Sequence, residues 1–241
     1  NHAYHFLTEL ANLPIARPNY VVLTHWHWDH VFGSSAFGSE IISHEKTKAH
    51  IKEMRTLDWS DSALDQRVKE GSEIAFCRDM IKLELPHRSQ RVFKIPEISF
   101  DSEIEIDLGG VSCQIKHVGG DHAEDSSIVF IPEDGIVFLG DCLYEDIHHG
   151  NPRYTVNNIQ NLSEIIQSLN ANEYYPAHDK KPMTNSDLVS FFEELLLIGE
   201  LVDKFGKDKQ RITTFLARHS DSKNCKECDW DLVDRFIEGL D

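Results

Sequence analysis

No run of about 18 apolar residues occurs in the sequence, which argues against a membrane-spanning helix. Basic residues are scarce. Lys and Arg number 24 against 41 Asp and Glu, a net charge of −17. A field of that sign repels phosphate backbones and anionic headgroups, so nucleic acid and membrane are poor partners and a small-molecule substrate is expected. A cationic metal centre can reverse that potential locally. Cysteine is sparse and irregular: Cys77, Cys113, Cys142, Cys225 and Cys228 form an odd set without a regular framework. That pattern points to a reduced, cytoplasmic protein rather than a disulfide-stapled one. No signal peptide is visible, but the chain opens without Met directly into a helical pattern, so preceding residues are expected in the natural protein. Repeats, low-complexity tracts and clean linkers are absent too, and 241 residues read as a single domain over 1–241.

Histidine, by contrast, is abundant, with 14 in the chain. The residues around it alternate between strand and helix signals. Ala3 to Leu13 has helical spacing and stops at Pro14. Tyr20 to Thr24 is a β-branched run that reads as a buried strand, and Glu40 to Ser43 as another. From about 44 to 85 the sequence is charged and amphipathic, which predicts two or three helices as an insertion. Glu103–Asp107 and Val111–Val118 flank a Gly109-Gly110 turn, and Ser126–Ile131 and Ile136–Leu139 flank Glu133-Asp134-Gly135, giving two hairpins. A helix over Asn157–Leu169 and a strand over Glu173–Tyr175 follow, then a helical region over about 184–241, started at Thr184-Asn-Ser-Asp187 and interrupted by Gly206. Such alternation predicts an α/β fold with sheets covered by helices.

The main chemical signal is Thr24-His25-Trp26-His27-Trp28-Asp29-His30, a HxHxDH pattern at the carboxyl end of a strand. Open α/β sheets place their chemistry at such ends. On a loop, His25, His27 and Asp29 face one way and His30 turns to a neighbouring point, so one segment can feed two adjacent metal ions. Solvated or core-satisfied polar side chains are the alternative. Three further residues stand where a strand ends: His122 in Val118-Gly-Gly-Asp-His122, Asp141 in Phe138-Leu-Gly-Asp141, and His178 in Tyr174-Tyr-Pro-Ala-His178. Each alone has an ordinary reading, a satisfied histidine or a helix-capping carboxylate. Their shared placement at strand ends gives them weight.

These residues, in this order from Tyr20 to His178, resemble the metallo-β-lactamase superfamily. The resemblance implies a four-layer αββα sandwich, here lacking its first N-terminal strands. It also implies that His25, His27 and His122 hold one metal, that Asp29, His30 and His178 hold a second, and that Asp141 bridges both. An aspartate bridge resembles the thioesterase, lactonase and phosphodiesterase branches. Tyr144, three positions after Asp141, matches a substrate-contacting Tyr of the lactonase branch, with packing beneath the site as the alternative. The Ala-Glu-Asp-Ser that follows His122 departs from the family's usual turn.

The implied activity is a dinuclear metal-dependent hydrolase, with zinc suited best and Fe or Mn also compatible. Two ions about 3.5–4 Å apart would ionise a bridging water to hydroxide for attack on an ester, thioester, lactone or related bond, with Asp29 both ligating and orienting the nucleophile. Alternatives are a phosphodiesterase on the same centre, an iron-dependent oxidoreductase, and a non-catalytic metal-binding module. Cys225-Lys-Glu-Cys228 is half of a zinc-finger spacing and reads as a pre-helix segment. Cys142 reads as packing. Trp26 and Trp28 read as packing behind the histidines, and Phe76, Met80 and Leu83 as candidate substrate walls. His148 and His149 read as surface residues that could line the mouth of the site, and His44, His50, His87 and His117 receive no role.

Overall fold

A computed structural model describes residues 2–88, 93–219 and 230–240. The chain divides into two compact units, one of residues 1–104 with 125–127, the other of 105–124 with 128–241.

The first unit opens with α1 (His2–Ala11), followed by β1 (Tyr20–Leu23), a single helical turn α2 (Trp28–Val31) and β2 (Glu40–His44). Three helices follow, α3 (Glu45–Met54), α4 (Asp61–Glu70) and α5 (Ala75–Glu84), and then β3 (Ile98–Phe100). The strands form a parallel sheet in the order β1-β2-β3. Central β2 is buried along Ile41-Ile-Ser-His44, as a strand flanked on both sides by parallel neighbours must be. His44, without a role in the sequence reading, is structural. Its Nδ1 caps α3 by accepting from Lys46 N (3.2 Å), and its Nε2 lies 2.6 Å from Asp101 O. His50 is likewise structural, stacked on Trp26 with ring centroids 4.9 Å apart. Trp26 and Trp28 pack against the cluster of Leu23, Val31, Phe32, Ile41, Ile51 and Met54, as expected. Phe76 and Leu83, by contrast, are largely exposed on α5, at 63% and 72%.

The six-stranded sheet has the order β4-β5-β6-β7-β8-β9, from β4 (Glu103–Asp107), β5 (Ser112–His117), β6 (Ser127–Ile131), β7 (Ile136–Gly140), β8 (Glu173–Pro176) and β9 (Met183–Thr184). The hairpin β6-β7 is antiparallel and β7-β8 is parallel, the crossover being α6 (Val156–Ser168). The two-residue β9, paired antiparallel with β8, carries no readable period and was not anticipated. Thr184 then caps α7 (Asn185–Phe205) through a reciprocal box with Asp187, and Gly206 ends it, as the sequence predicts. After α8 (Lys209–His219), the last helix is α9 (Trp230–Glu238). It buries Leu232, Val233, Phe236 and Ile237 and leaves Asp231 and Glu238 exposed, so one apolar stripe docks it. The second unit's core joins Tyr174, Leu188, Phe192, Ile198 and Phe236 with Leu139 and Ile159. Each fully buried side chain of this size contributes about 1.5–3 kcal/mol. The pair Cys225 and Cys228 lies outside the described residues.

Among the described residues no helix is long and apolar enough to cross a membrane.

Candidate metal centre

In the first unit β1 ends at Leu23, and Ser127 N donates to Thr24 O (2.8 Å), which anchors the chain just before the histidines. The sequence reading places His25 to His30 on a loop with alternating side chains. The structure differs, because His27 is the N-cap of α2 and Asp29 and His30 stand on that helical turn. A turn of helix brings consecutive residues round the axis, so Asp29 and His30 are separated by rotation and not by alternation. The rings cluster all the same. His25 and His27 lie 4.7 Å apart between centroids, His25 and His30 4.2 Å apart, and His30 Nε2 is 3.4 Å from Asp29 Oδ2. His25 Nδ1 is 3.2 Å from Thr24 Oγ1, a contact that fixes the ring from its rear edge. A cleft of about 630 Å³ opens beside Asp29 and His30, with Phe6, Val21, Phe32 and Phe37 in its walls. It runs along edge strand β1, so those walls belong to the flank of the sheet.

In the second unit β7 delivers Asp141. Its pairing with β8 shifts register between Phe138 and Gly140, and Gly140 has φ +56°, which turns the chain at the point where Asp141 leaves the strand. Ala177 N donates to Gly140 O (3.1 Å), setting His178 alongside Asp141. His122 comes from the loop after β5, which His117 closes through Nε2 to Glu124 O (2.8 Å). The three side chains converge on one atom: Asp141 Oδ2 lies 3.3 Å from His122 Nε2 and 3.2 Å from His178 Nε2. Asp141 is 4% exposed.

Exposure grades the donors. In the first unit His25 and His27 are buried while Asp29 is exposed; in the second His122 is mostly enclosed while His178 is half open.

Tyr144 stands between the two second-unit imidazoles, its ring centroid 6.0 Å from that of His122 and 6.1 Å from that of His178. Burial, then the carboxylates of Asp179 and Asp141, push its hydroxyl up to about 12, so the phenol is protonated at neutral pH. Cys142, by contrast, is buried, and both burial and the Asp141 carboxylate raise its thiol, which suits packing and not metal ligation. His148, read from sequence as a surface residue, is half-buried and lies 6.3 Å from His122 between centroids.

Several residues that position this cluster escaped the sequence reading. Asp121 accepts from Thr155 N (2.9 Å), Thr155 Oγ1 (2.8 Å) and Asn158 Nδ2 (2.7 Å), tying the residue before His122 to the start of α6. Asp146 accepts from His148 N and His149 N and pairs with Arg153. Burial opposes its ionisation, but these donors outweigh it and hold the carboxyl below its ordinary range. Asp121 adjoins a ligand candidate, the one signal that could have drawn attention to it.

The family model of the metallo-beta-lactamase superfamily matches residues 3–205. The chain belongs to the metallo-β-lactamase superfamily. Its fold class is the α/β sandwich of that superfamily. Among solved structures, the chain is similar to a metallo-beta-lactamase family protein from Thermus thermophilus at 18% identity, over 97% of this chain and 76% of that one, with a TM-score of 0.54. It is also similar to the stereoselective inverting sec-alkylsulfatase Pisa1 from Pseudomonas sp. at 12% identity, over 97% of this chain and 40% of that one, with a TM-score of 0.57. A metallo-beta-lactamase from Pontibacter korlensis matches at 20% identity over 79% of this chain and 76% of that one, with a TM-score of 0.49. For the Thermus and Pseudomonas structures, at these identities, the likeness is one of fold. No curated protein sequence matches the chain.

The first unit thus gathers His25, His27, Asp29 and His30, and the second His122, Asp141 and His178, all of them imidazole or carboxylate donors. The donor chemistry fits a metal of this superfamily, since imidazole nitrogens and carboxylate oxygens suit Zn²⁺, with Fe and Mn compatible.

Proposed function

We propose that this member of the superfamily is a hydrolase in which the His25-His27-Asp29-His30 cluster and the His122-Asp141-His178 cluster hold two divalent ions, and that residues 1–241 act as one catalytic domain. The observation that carries the reading is Asp141 Oδ2, which faces an imidazole Nε2 on either side at 3.2 and 3.3 Å. A single carboxylate oxygen shared by two histidines that lie far apart in sequence is the arrangement a bridging ligand needs. In this reading His25, His27 and His122 would hold one ion and Asp29, His30 and His178 the other, with Asp141 as the ligand common to both.

When bound, such a pair of ions supplies Lewis acidity and ionises a water near neutral pH. The protein does the rest. Buried His25 and His27 keep bulk water from one side. Asp29 orients the attacking water and accepts its proton. Tyr144, protonated and set between His122 and His178, donates a hydrogen bond to the substrate oxygen on which charge develops. The substrate is a small molecule with an ester, thioester, lactone or related bond.

The test is metal analysis of purified protein, followed by assay against esters, thioesters, lactones, β-lactams and phosphodiesters. Two zinc ions per chain with carbon–oxygen or carbon–sulfur cleavage is expected. Turnover of phosphodiesters alone would move the reading to phosphodiesterase, coloured iron-loaded protein to redox chemistry, and failure to take up metal to a binding module. In the same assay Tyr144→Phe is expected to lower kcat about 10-fold or more with metal content unchanged, since it removes one hydrogen bond to developing charge. A rate equal to wild type would assign Tyr144 to packing.

A further inference from the structure

Three consecutive residues hold the ground on both sides of His122. Arg153 engages Asp146 through Nε (3.1 Å) and Nη2 (3.0 Å). The Tyr154 hydroxyl sits 3.0 Å from Leu143 O and 3.3 Å from Glu145 Oε2. Thr155 donates twice to Asp121, the residue before His122. The segment Leu143 to Asp146 follows Asp141, so Arg153-Tyr154-Thr155 grips the neighbours of two ligand candidates at once.

Glu145 is where this grip reaches an imidazole. Its backbone carbonyl lies 3.2 Å from His122 Nδ1. A carbonyl only accepts, so the proton of this contact is on Nδ1, and Nε2, 3.3 Å from Asp141 Oδ2, is the nitrogen left to serve as a metal ligand. The Glu145 side chain is fixed in turn, by Tyr154 and by Arg235 of α9, whose Nη1 is 3.4 Å from Oε1. Helix α9 fastens the grip from behind. Tyr154 N donates to Arg235 O (3.1 Å), the Tyr154 ring packs on Phe236 with centroids 5.6 Å apart, and Gly239 permits a backbone approach so close that a Cβ there would overlap Tyr154 O. All of α9 lies beyond the residues 3–205 that match the family.

We propose that Arg153-Tyr154-Thr155, fastened by Arg235 of α9, is a positioning latch for His122: it fixes the Glu145 carbonyl that sets the tautomer and aim of this imidazole. The C-terminal helix thereby acts on metal affinity without touching metal or substrate. This rests on His122 being a metal ligand.

The experiment uses Co²⁺ as the probe on metal-free full-length protein. It compares wild type, Tyr154→Phe, Arg235→Ala and Arg235→Lys by chelator competition and by the visible d–d absorption of the bound ion, with apoprotein melting in parallel. Tyr154→Phe keeps the ring on Phe236, so it folds even if Arg235→Ala does not. Expected are a loss of Co²⁺ affinity of about 10-fold or more in Tyr154→Phe and Arg235→Ala, a changed d–d spectrum, and recovery of most of the affinity in Arg235→Lys. Variants that bind Co²⁺ within twofold of wild type with an unchanged spectrum would overturn the latch and leave the metal reading intact. Wild type that takes up no Co²⁺ would overturn both.

Discussion

Asp141→Ala is expected to abolish hydrolysis and to strip metal from the protein. Loss of a residue that merely orients a ligand costs about 10–100-fold in affinity or activity, so in the proposed centre, where Asp141 is the shared ligand, its loss should cost at least about 100-fold in kcat/KM. The geometry makes the change selective. Asp141 is 4% exposed, and its Oδ2 lies within 3.3 Å of Nε2 of both His122 and His178. Asp141 is also partnered by the two imidazoles, so its loss is expected to lower apoprotein stability somewhat while the chain still folds. Metal analysis, turnover and apoprotein melting together separate this from general damage. Intact turnover would remove Asp141 from the centre, and a collapsed apoprotein would make the residue structural.

The ligand candidates were legible because each stands at a punctuation mark. His25 follows a β-branched run, Asp141 follows Ile136 to Gly140, and His178 follows Glu173 to Pro176, and strands of this kind announce themselves in sequence. The box at Thr184 and Asp187 was equally plain, because helix starts use a short fixed spacing. The helical turn at Trp28–Val31 was not legible. Four residues are too few to show a period of 3.6, and alternating His and Trp mimics a period of two. The latch was hidden for a different reason. Asp121 meets Thr155 across 34 residues and Glu145 meets Arg235 across a still longer stretch, and no local pattern encodes such pairs. Ordinary acidic residues thus become positioning groups only once the chain has folded.

Gly120→Ala is expected to damage stability and metal binding together, for a reason visible in the backbone. Gly120 has φ +126°, a conformation L side chains rarely adopt, and a Cβ there would lie 3.1 Å from Cys142 O and 3.3 Å from Leu162 Cδ1. Cys142 follows Asp141, and Gly120 precedes His122 by two residues, so the added methyl forces apart the two loops that must bring His122 Nε2 to Asp141 Oδ2. Leu162 cannot yield freely, being 1% exposed in the core beneath α6. Backbone strain costs about 1–3 kcal/mol and overpacking about as much again, which for a chain of this size lowers the melting temperature on the order of 10 °C. Gly119 supplies the comparison. It also has positive φ, +64°, but its Cβ would meet only Glu124 O at an ordinary 3.6 Å. Gly119→Ala should therefore show a milder strain and no overlap, and keep more of its metal. Equal losses of melting temperature and metal in the two variants would show that the close approach of the loops does not hold His122 and Asp141 in place.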